Sequence, residues 1–107
     1  MMPKVSEQAL AAYDAVAAGL ESAGVVRGKM FGMPCLKLGR TVVAGMYGDA
    51  MTFKLPPEPR EKALTLPGAE PFDPSGGRPM KEWVVIPLAE SAAWPDYAAE
   101  ALEYVAR

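Results

Sequence analysis

The chain has 107 residues, of which 50% are hydrophobic and 22% are charged, and its formal net charge is −2. These values are typical of one globular unit, so we expect residues 1–107 to form a single domain. The weakly acidic balance excludes a chain that is basic throughout, as many nucleic-acid-binding proteins are. One cysteine and no histidine exclude an internal disulfide and most transition-metal sites, so we expect no metal and no cofactor.

The location expected from the sequence is the cytoplasm. The first ten residues contain no apolar run of signal-peptide length. No stretch approaches the roughly 20 apolar residues that cross a bilayer, so we expect no membrane contact. A single cysteine also fits a reducing compartment.

The first predicted element is a helix over residues 6–22. Ser6 is a good N-cap, Val5 and Leu10 are spaced as a hydrophobic staple, and Gly24 lies where a left-handed C-cap is expected. The apolar stripe predicted for this helix consists of Leu10, Tyr13, Val16, Ala17 and Leu20.

Residues 29–55 predict a meander of three antiparallel strands, because short turn signals at Gly39-Arg40 and Gly48-Asp49 separate apolar runs. In the second hairpin, a two-residue loop places one set of side chains on the core face. The expected pairs on this face are Ala44 with Phe53 and Met46 with Met51, joined by Val42 and Leu55.

In the first hairpin of this meander, the number of residues in the turn decides which side chains face the core. A two-residue loop at Gly39-Arg40 would turn Cys35 and Lys37 toward the core. An odd-length loop or a bulge around residues 39–41 reverses this and favours the apolar residues. We therefore predict the irregular turn, with Leu38 opposite Val42 and Leu36 opposite Ala44.

After the meander, residues 58–66 predict a short helix anchored by Leu64, and residues 67–80 predict a long loop pinned by Phe72. Residues 82–86 predict the last strand. Trp94 is expected just outside the final helix, whose inner stripe is Ala98, Ala101, Leu102 and Val105. The predicted fold class is α+β, with an antiparallel β-meander sheet flanked by N- and C-terminal helices.

Cys35 is the one nucleophile worth weighing, and it has two interpretations. Lys37 could lower the pKa of its thiol, but the chain has no histidine to take the proton. A small apolar residue packed in a strand explains it without any further partner. We favour the structural interpretation, and no catalytic residue is predicted.

Basic residues concentrate in the middle of the chain, where residues 27–54 carry five of them against one acidic residue. Arg78 and Lys81 follow a Gly-Gly pair and precede Trp83. We predict that Lys29, Lys54, Arg78 and Lys81 form one shallow positive site, with Lys29 and Lys54 on neighbouring strands. Its partner would be an acidic protein surface or a phosphate. Solvated surface charge is the simpler alternative.

A homodimer is also expected. The strand that begins after Pro34, or the one that ends at Pro87, would be a sheet edge. An unpaired edge invites pairing across a two-fold axis.

Several short motifs together resemble the TfoX/Sxy N-terminal-domain-like family. They are KMFG (29–32), PCLKLGRTVVAGMYGD (34–49), FKL (53–55), FDP (72–74) and GRPMKEWVVIP (77–87). The resemblance covers essentially the whole chain and implies an α+β fold with flanking helices. It also implies a regulator that acts with other proteins and is not an enzyme, since full-length members look like regulators of natural competence. We expect this chain to be a single-domain member, and the family supplies no catalytic residues to carry over.

The expected function is therefore that of a non-enzymatic cytoplasmic regulatory or protein-interaction module. The main alternative is a nucleic-acid-associated module that uses the mildly basic sheet face. A small enzyme of unknown class comes third, because the usual proton-transfer groups are missing.

Overall fold

The first helix starts at a side-chain cap, as the sequence predicts. In the computed structural model, which describes residues 6–30, 32–73 and 82–107, the Ser6 hydroxyl accepts a hydrogen bond of 3.1 Å from the amide of Ala9. Gly24 ends the following 3-10 turn with φ of +91°, a conformation that glycine adopts without strain. The α-helices among the described residues are α1 (Glu7–Leu20), α2 (Pro57–Ala63) and α3 (Trp94–Ala106).

The inner stripe of α1 is confirmed except at Leu10. Tyr13, Val16, Ala17 and Leu20 are buried, whereas Leu10 is 41% exposed. Ala9 takes the inner position, because the spacing 9, 13, 16, 20 keeps to one side of the helix and residue 10 lies about 100° away from it. Val5, the other half of the expected staple, lies outside the described residues.

The sheet has six strands where the sequence predicts a three-stranded meander and one later strand. All neighbouring strands are antiparallel, and their order is β1-β2-β3-β4-β6-β5. The expectation missed β1 because three of its five residues are two cations and a glycine, and glycine and lysine are depleted in strands. The strands are β1 (Val26–Met30), β2 (Met33–Leu38), β3 (Thr41–Tyr47), β4 (Ala50–Lys54), β5 (Glu70–Pro71) and β6 (Trp83–Ile86).

The second hairpin has the predicted register. Ala44 pairs with Phe53 and Met46 pairs with Met51, and all four belong to the main core. Phe53 and Leu55 have no exposed surface. The alternation of side chains in this hairpin was therefore sufficient to identify its buried face.

The first hairpin contains the expected bulge, but at a different residue. Leu36 pairs with Ala44 as predicted, whereas Leu38 pairs with Thr41 across a two-residue turn, not with Val42. The register shifts between Leu36 and Lys37, which leaves Val43 without a partner on β2. Because the extra residue reverses the alternation, Val43 enters the main core and Val42 packs with a second cluster on the other face. The expectation that Val42 faces the main core was wrong.

Neither strand expected at an edge is one. β2, which begins before Pro34, lies between β1 and β3, and β6, which ends at Ile86, lies between β4 and the two-residue β5. The physical basis of the expected homodimer is therefore removed, although the oligomeric state itself stays a prediction.

The helices cover one face of the sheet. α3 contacts β2, β3 and β4 as well as α1, and α2 contacts β6 and α3. Trp94 begins α3 and is fully buried, and its indole donates a hydrogen bond of 3.2 Å to the carbonyl of Ile86. Ala98 and Ala101 are buried, and Leu102 and Val105 pack against the core as predicted. α2 ends at Ala63, and Leu64 continues into a turn while packing on the same core.

The protein is thus an α+β fold with an N-terminal helix, a six-stranded antiparallel sheet and a C-terminal helix. The opposite face of the sheet, which we call the second face, carries a smaller cluster of its own. Its members come from strands and from the segment after β5, not from a helix. They are Phe72, Trp83 and Val85, with Val42 and Ala50 packed against them.

Candidate functional site

The four cations predicted to form one site are not all placed by the structure. Arg78 and Lys81 lie outside the described residues. Lys29 lies on β1 and Lys54 on β4, with β2 and β3 between them. Three strand spacings amount to about 14 Å, so the expectation that these two lysines lie on neighbouring strands was wrong.

The two lysines also belong to opposite faces of the sheet. Lys54 pairs with Trp83, a member of the second-face cluster. Lys29 pairs with Pro34 and follows Arg27 by two residues, and the partner of Arg27 is Leu36 of the main core. Because side chains alternate along a strand, Lys29 is on the side of the helices and Lys54 is on the second face. The structure therefore separates them, and a binding role for either stays a prediction.

The second face joins aromatic and basic side chains. Tyr47 meets Phe72 edge to face with 5.2 Å between ring centroids, and Phe72 meets Trp83 in the same way at 6.4 Å. Phe72 and Trp83 are buried, but Tyr47 remains 39% exposed. Register places Lys37, opposite Val42, and Lys54, opposite Trp83, on the same face. A supported, partly exposed aromatic ring on a face that also carries two cations is a surface suited to contact with another macromolecule.

The sequence indicated part of this surface. Phe72 is buried and contacts Trp83 and Tyr47, as expected of an anchoring residue, whereas residues 74–80 of the predicted loop lie outside the described residues. Tyr47 was not predicted as a site residue. Its position two residues after Gly45 on β3 does place it on the face opposite the core, and this alternation was the available signal.

The other notable polar group is a set of side chains at the end of the sheet. Tyr104 donates a hydrogen bond of 2.8 Å to Glu82 Oε2, and this bond, followed by burial, raises the pKa of the Tyr104 hydroxyl. Arg60 Nη2 donates to the carbonyl of Leu55 at 3.2 Å. These contacts tie α3 and α2 to the strand ends at Leu55 and Glu82. Each bond joins two elements of the fold, which is sufficient to explain the contact.

Cys35 is enclosed by the sheet. Its side chain has no exposed surface, and burial raises the pKa of its thiol, an effect that Lys37 only partly opposes. A buried thiol held in its neutral form is a poor nucleophile. The geometry favours the structural interpretation of Cys35.

A groove lies between α2 and α3. It consists of two adjoining parts of about 510 and 230 Å³ that share Pro59, Lys62 and Glu100. Glu58 and Arg107 line the larger part. Basic and acidic side chains alternate around the groove, so it presents no single charge to a ligand.

Within residues 6–30, 32–73 and 82–107, no three His, Cys, Asp or Glu side chains gather as metal ligands would. In the same part of the chain, no helix has both the length and the apolar character that a bilayer span requires.

Comparison with known proteins adds no relative. No family model, no curated protein and no solved structure matches this chain. The resemblance to the TfoX/Sxy N-terminal-domain-like family therefore rests on the short motifs alone and stays a prediction.

Proposed function

We propose that this protein is a non-enzymatic regulatory or protein-interaction module of the cytoplasm, similar to single-domain TfoX/Sxy N-terminal-like proteins. The observation that supports it best is the second face of the sheet. There Tyr47 is 39% exposed although its ring is held against Phe72. A ring that is already fixed loses little side-chain entropy when a partner covers it.

The charge of this face suits an acidic partner. Lys37 and Lys54 are its strand cations, and both are partly exposed. Rim charges of one sign accelerate encounter with a surface of the opposite sign, while a central aromatic side chain supplies most of the binding energy. Tyr47 is the anchor of this proposal, and Lys37 and Lys54 direct the partner to it.

The non-enzymatic part of the proposal is supported by the state of Cys35. It is the single cysteine of the chain, it is fully buried, and burial raises the pKa of its thiol. The other described groups with raised pKa values are Tyr13 on α1, Arg27 on β1, and Tyr97 and Tyr104 on α3. Of these only Tyr97 lines the groove between α2 and α3, so they do not converge on one cavity.

The test is recovery of partners from native lysate by crosslinking and mass spectrometry, with Tyr47→Ala compared with the wild type. Leu10→Ala is the matched control, since Leu10 is 41% exposed but lies on α1. We expect Tyr47→Ala to lose the partner that the wild type and Leu10→Ala both retain. Equal recovery by all three folded proteins would contradict the proposed surface.

A nucleic-acid-associated module is the second candidate, and the exposed ring of Tyr47, on a face that also carries Lys37 and Lys54, favours it. Bases stack on exposed aromatic rings of antiparallel sheets, each for about 1–3 kcal/mol. Phe72 and Trp83 are too deeply buried to offer further rings, which favours the protein partner. Retention on single-stranded DNA that falls steeply with salt, and that Tyr47→Ala abolishes, would support the second candidate instead.

A further inference from the structure

The outer side of β1 is a sheet edge. Among the described residues, β1 is the terminal strand and pairs with β2 alone. Backbone N–H and C=O groups that point away from β2 therefore have no strand partner in the described part of the chain. Such a row of groups is a template on which an added strand can pair.

Pro34 identifies which residues of β1 direct their backbone N–H and C=O groups outward. Lys29 lies opposite Pro34, which has no N–H and cannot complete a hydrogen-bonded pair. Bonded and non-bonded pairs alternate along an antiparallel ladder, so Val26 and Gly28 bond to β2. Arg27 and Lys29 then direct their N–H and C=O groups outward.

Gly45 supports this assignment from the other side of β2. A Cβ placed on Gly45 would lie 3.5 Å from the carbonyl oxygen of Pro34. That oxygen therefore points toward β3 and not toward Lys29 of β1. The two independent observations agree on which groups face the edge.

The side chains at the outward-facing positions are both basic. Arg27 forms an ion pair of 2.6 Å with Asp14 and lies 5.7 Å from the centre of the Tyr13 ring. Lys29 is exposed and has no ion-pair partner among the described residues. On the other face of the same strand, Val26 is 58% exposed.

These charges oppose pairing of β1 with a second copy of itself. In an antiparallel pair of two β1 strands related by a two-fold axis, each residue that directs its backbone groups outward lies opposite an outward-facing residue of the other copy. The outward-facing residues of β1 are Arg27 and Lys29. Any alignment that pairs the middles of the two strands therefore puts a basic residue of one copy opposite a basic residue of the other. Like charges directly opposite each other destabilise a strand pair.

We propose that the edge of β1 accepts an extended acidic segment of a partner protein as an added antiparallel strand. Acidic side chains of the segment lie opposite Arg27 and Lys29, and the apolar residue between them lies beside Val26. The segment thus has an acidic–apolar–acidic pattern. This inference rests on the proposed interaction function and gives it a second surface, distinct from that of Tyr47.

The test uses the full chain and a capped peptide of sequence Glu-Val-Glu-Val-Glu, with Lys-Val-Lys-Val-Lys as control. Hydrogen exchange of individual amides is followed by NMR. When about nine tenths of the protein is bound, the amides of Arg27 and Lys29 should exchange about tenfold more slowly. Those of Val26 and Gly28 should change little, because they already bond to β2. The lysine peptide should have no effect.

Variants at Lys29 distinguish the contribution of its backbone hydrogen bond to peptide binding from the contribution of its side-chain charge. Lys29→Ala keeps the outward N–H and should weaken binding several-fold, whereas Lys29→Pro removes this donor and should abolish it. Proline is tolerated at an edge where the N–H faces outward, and Gly28 before it accepts the restriction that proline imposes. If Lys29→Pro does not fold, Lys29→Glu should instead reduce the preference for the acidic peptide.

Three results would overturn the inference: equal effects of both peptides, no protection at millimolar peptide, or protection confined to the second face. Protection of Arg27 and Lys29 that grows with protein concentration alone would assign the edge to a homodimer instead. Tyr47→Ala should leave peptide binding unchanged. If the peptide does not protect β1 but the lysate yields a partner that depends on Tyr47, the proposed function stands and this inference fails. If the peptide protects β1 but no such partner is recovered, this inference stands and the proposed surface of Tyr47 fails.

Discussion

The Tyr13 hydroxyl donates a hydrogen bond of 3.1 Å to the backbone carbonyl of Cys35. Tyr13 lies on α1 and is 2% exposed, and Cys35 lies on β2 with no exposed surface. The bond is thus a polar contact inside the apolar interface between the first helix and the sheet. It fixes where along β2 the helix rests, because apolar packing alone has no preferred direction.

Tyr13→Phe should lower the free energy of unfolding by about 1–2 kcal/mol, since it removes a buried hydrogen bond and keeps the ring. Urea denaturation measures the change. Tyr104→Phe is the matched control and should cost less, because its bond to Glu82 is only partly buried. Equal midpoints for the wild type and Tyr13→Phe would show that water replaces the bond.

Alkaline pH should destabilise the protein through Cys35 and Tyr13. Burial raises the pKa of both groups above their ordinary values of 9.0 and 10.0. The folded state therefore holds these protons more tightly than the unfolded state does. This stability is full below the ordinary values and is lost as pH rises through the raised ones.

The measurement is the urea midpoint from about pH 8 to about pH 10. Cys35→Ala should show a shallower decline than the wild type across this interval. Parallel curves for the two proteins would mean that the thiol titrates alike in the folded and unfolded states.

Phe53→Ala should lower the free energy of unfolding by about 3–5 kcal/mol, because the ring is fully buried in the main core. Val26→Ala is the control, since Val26 is 58% exposed, and it should change stability by less than about 1 kcal/mol. Thermal denaturation compares them. A melting temperature of Phe53→Ala within a degree or so of the wild type would contradict the register of β3 and β4.

Gly45→Ala and Gly28→Ala should differ although both glycines lie in strands. A Cβ on Gly45 would meet Cys35 Cβ at 3.3 Å, beside the carbonyl of Pro34, and neither atom can move without its backbone. We expect a loss of about 1–3 kcal/mol. At Gly28 the nearest atom is Lys37 Cε at 3.4 Å, the flexible end of a side chain.

Gly28→Ala should therefore be neutral or slightly stabilising, since alanine suits a strand better than glycine. Chemical denaturation of both variants measures the difference. The reverse order would indicate that β2 does not lie between these two glycines as the structure has it.

The thiol of Cys35 should react slowly with a water-soluble thiol reagent in the folded protein. It has no exposed surface and its pKa is raised by burial, so reaction requires opening of the structure. The labelling rate should rise in parallel with urea-induced opening. Rapid labelling in native buffer, at a rate near that of a free thiol, would contradict the structural interpretation and make Cys35 a candidate nucleophile.

Much of the fold followed from local pattern. The stripe of α1, the pairing of Ala44 with Phe53, and the buried residues of α3 depend on periodicity and turn residues within a few positions of each other. The burial of Phe72 likewise followed from its being the one large apolar residue in a Pro- and Gly-rich segment. Such features need only the alternation or helical spacing of side chains along one segment.

Only the tertiary structure decided what depends on distant partners. The bulge lies at Val43 and not at the turn because both Val43 and Ala44 can then enter the core beneath the helices. Leu10 is exposed because α1 rests on Ala9 and Tyr13. Lys29 and Lys54 are separated because strand order is set by which edges pair across the whole sheet. Local spacing carries no information about that pairing, since any two strands of suitable length offer the same backbone groups.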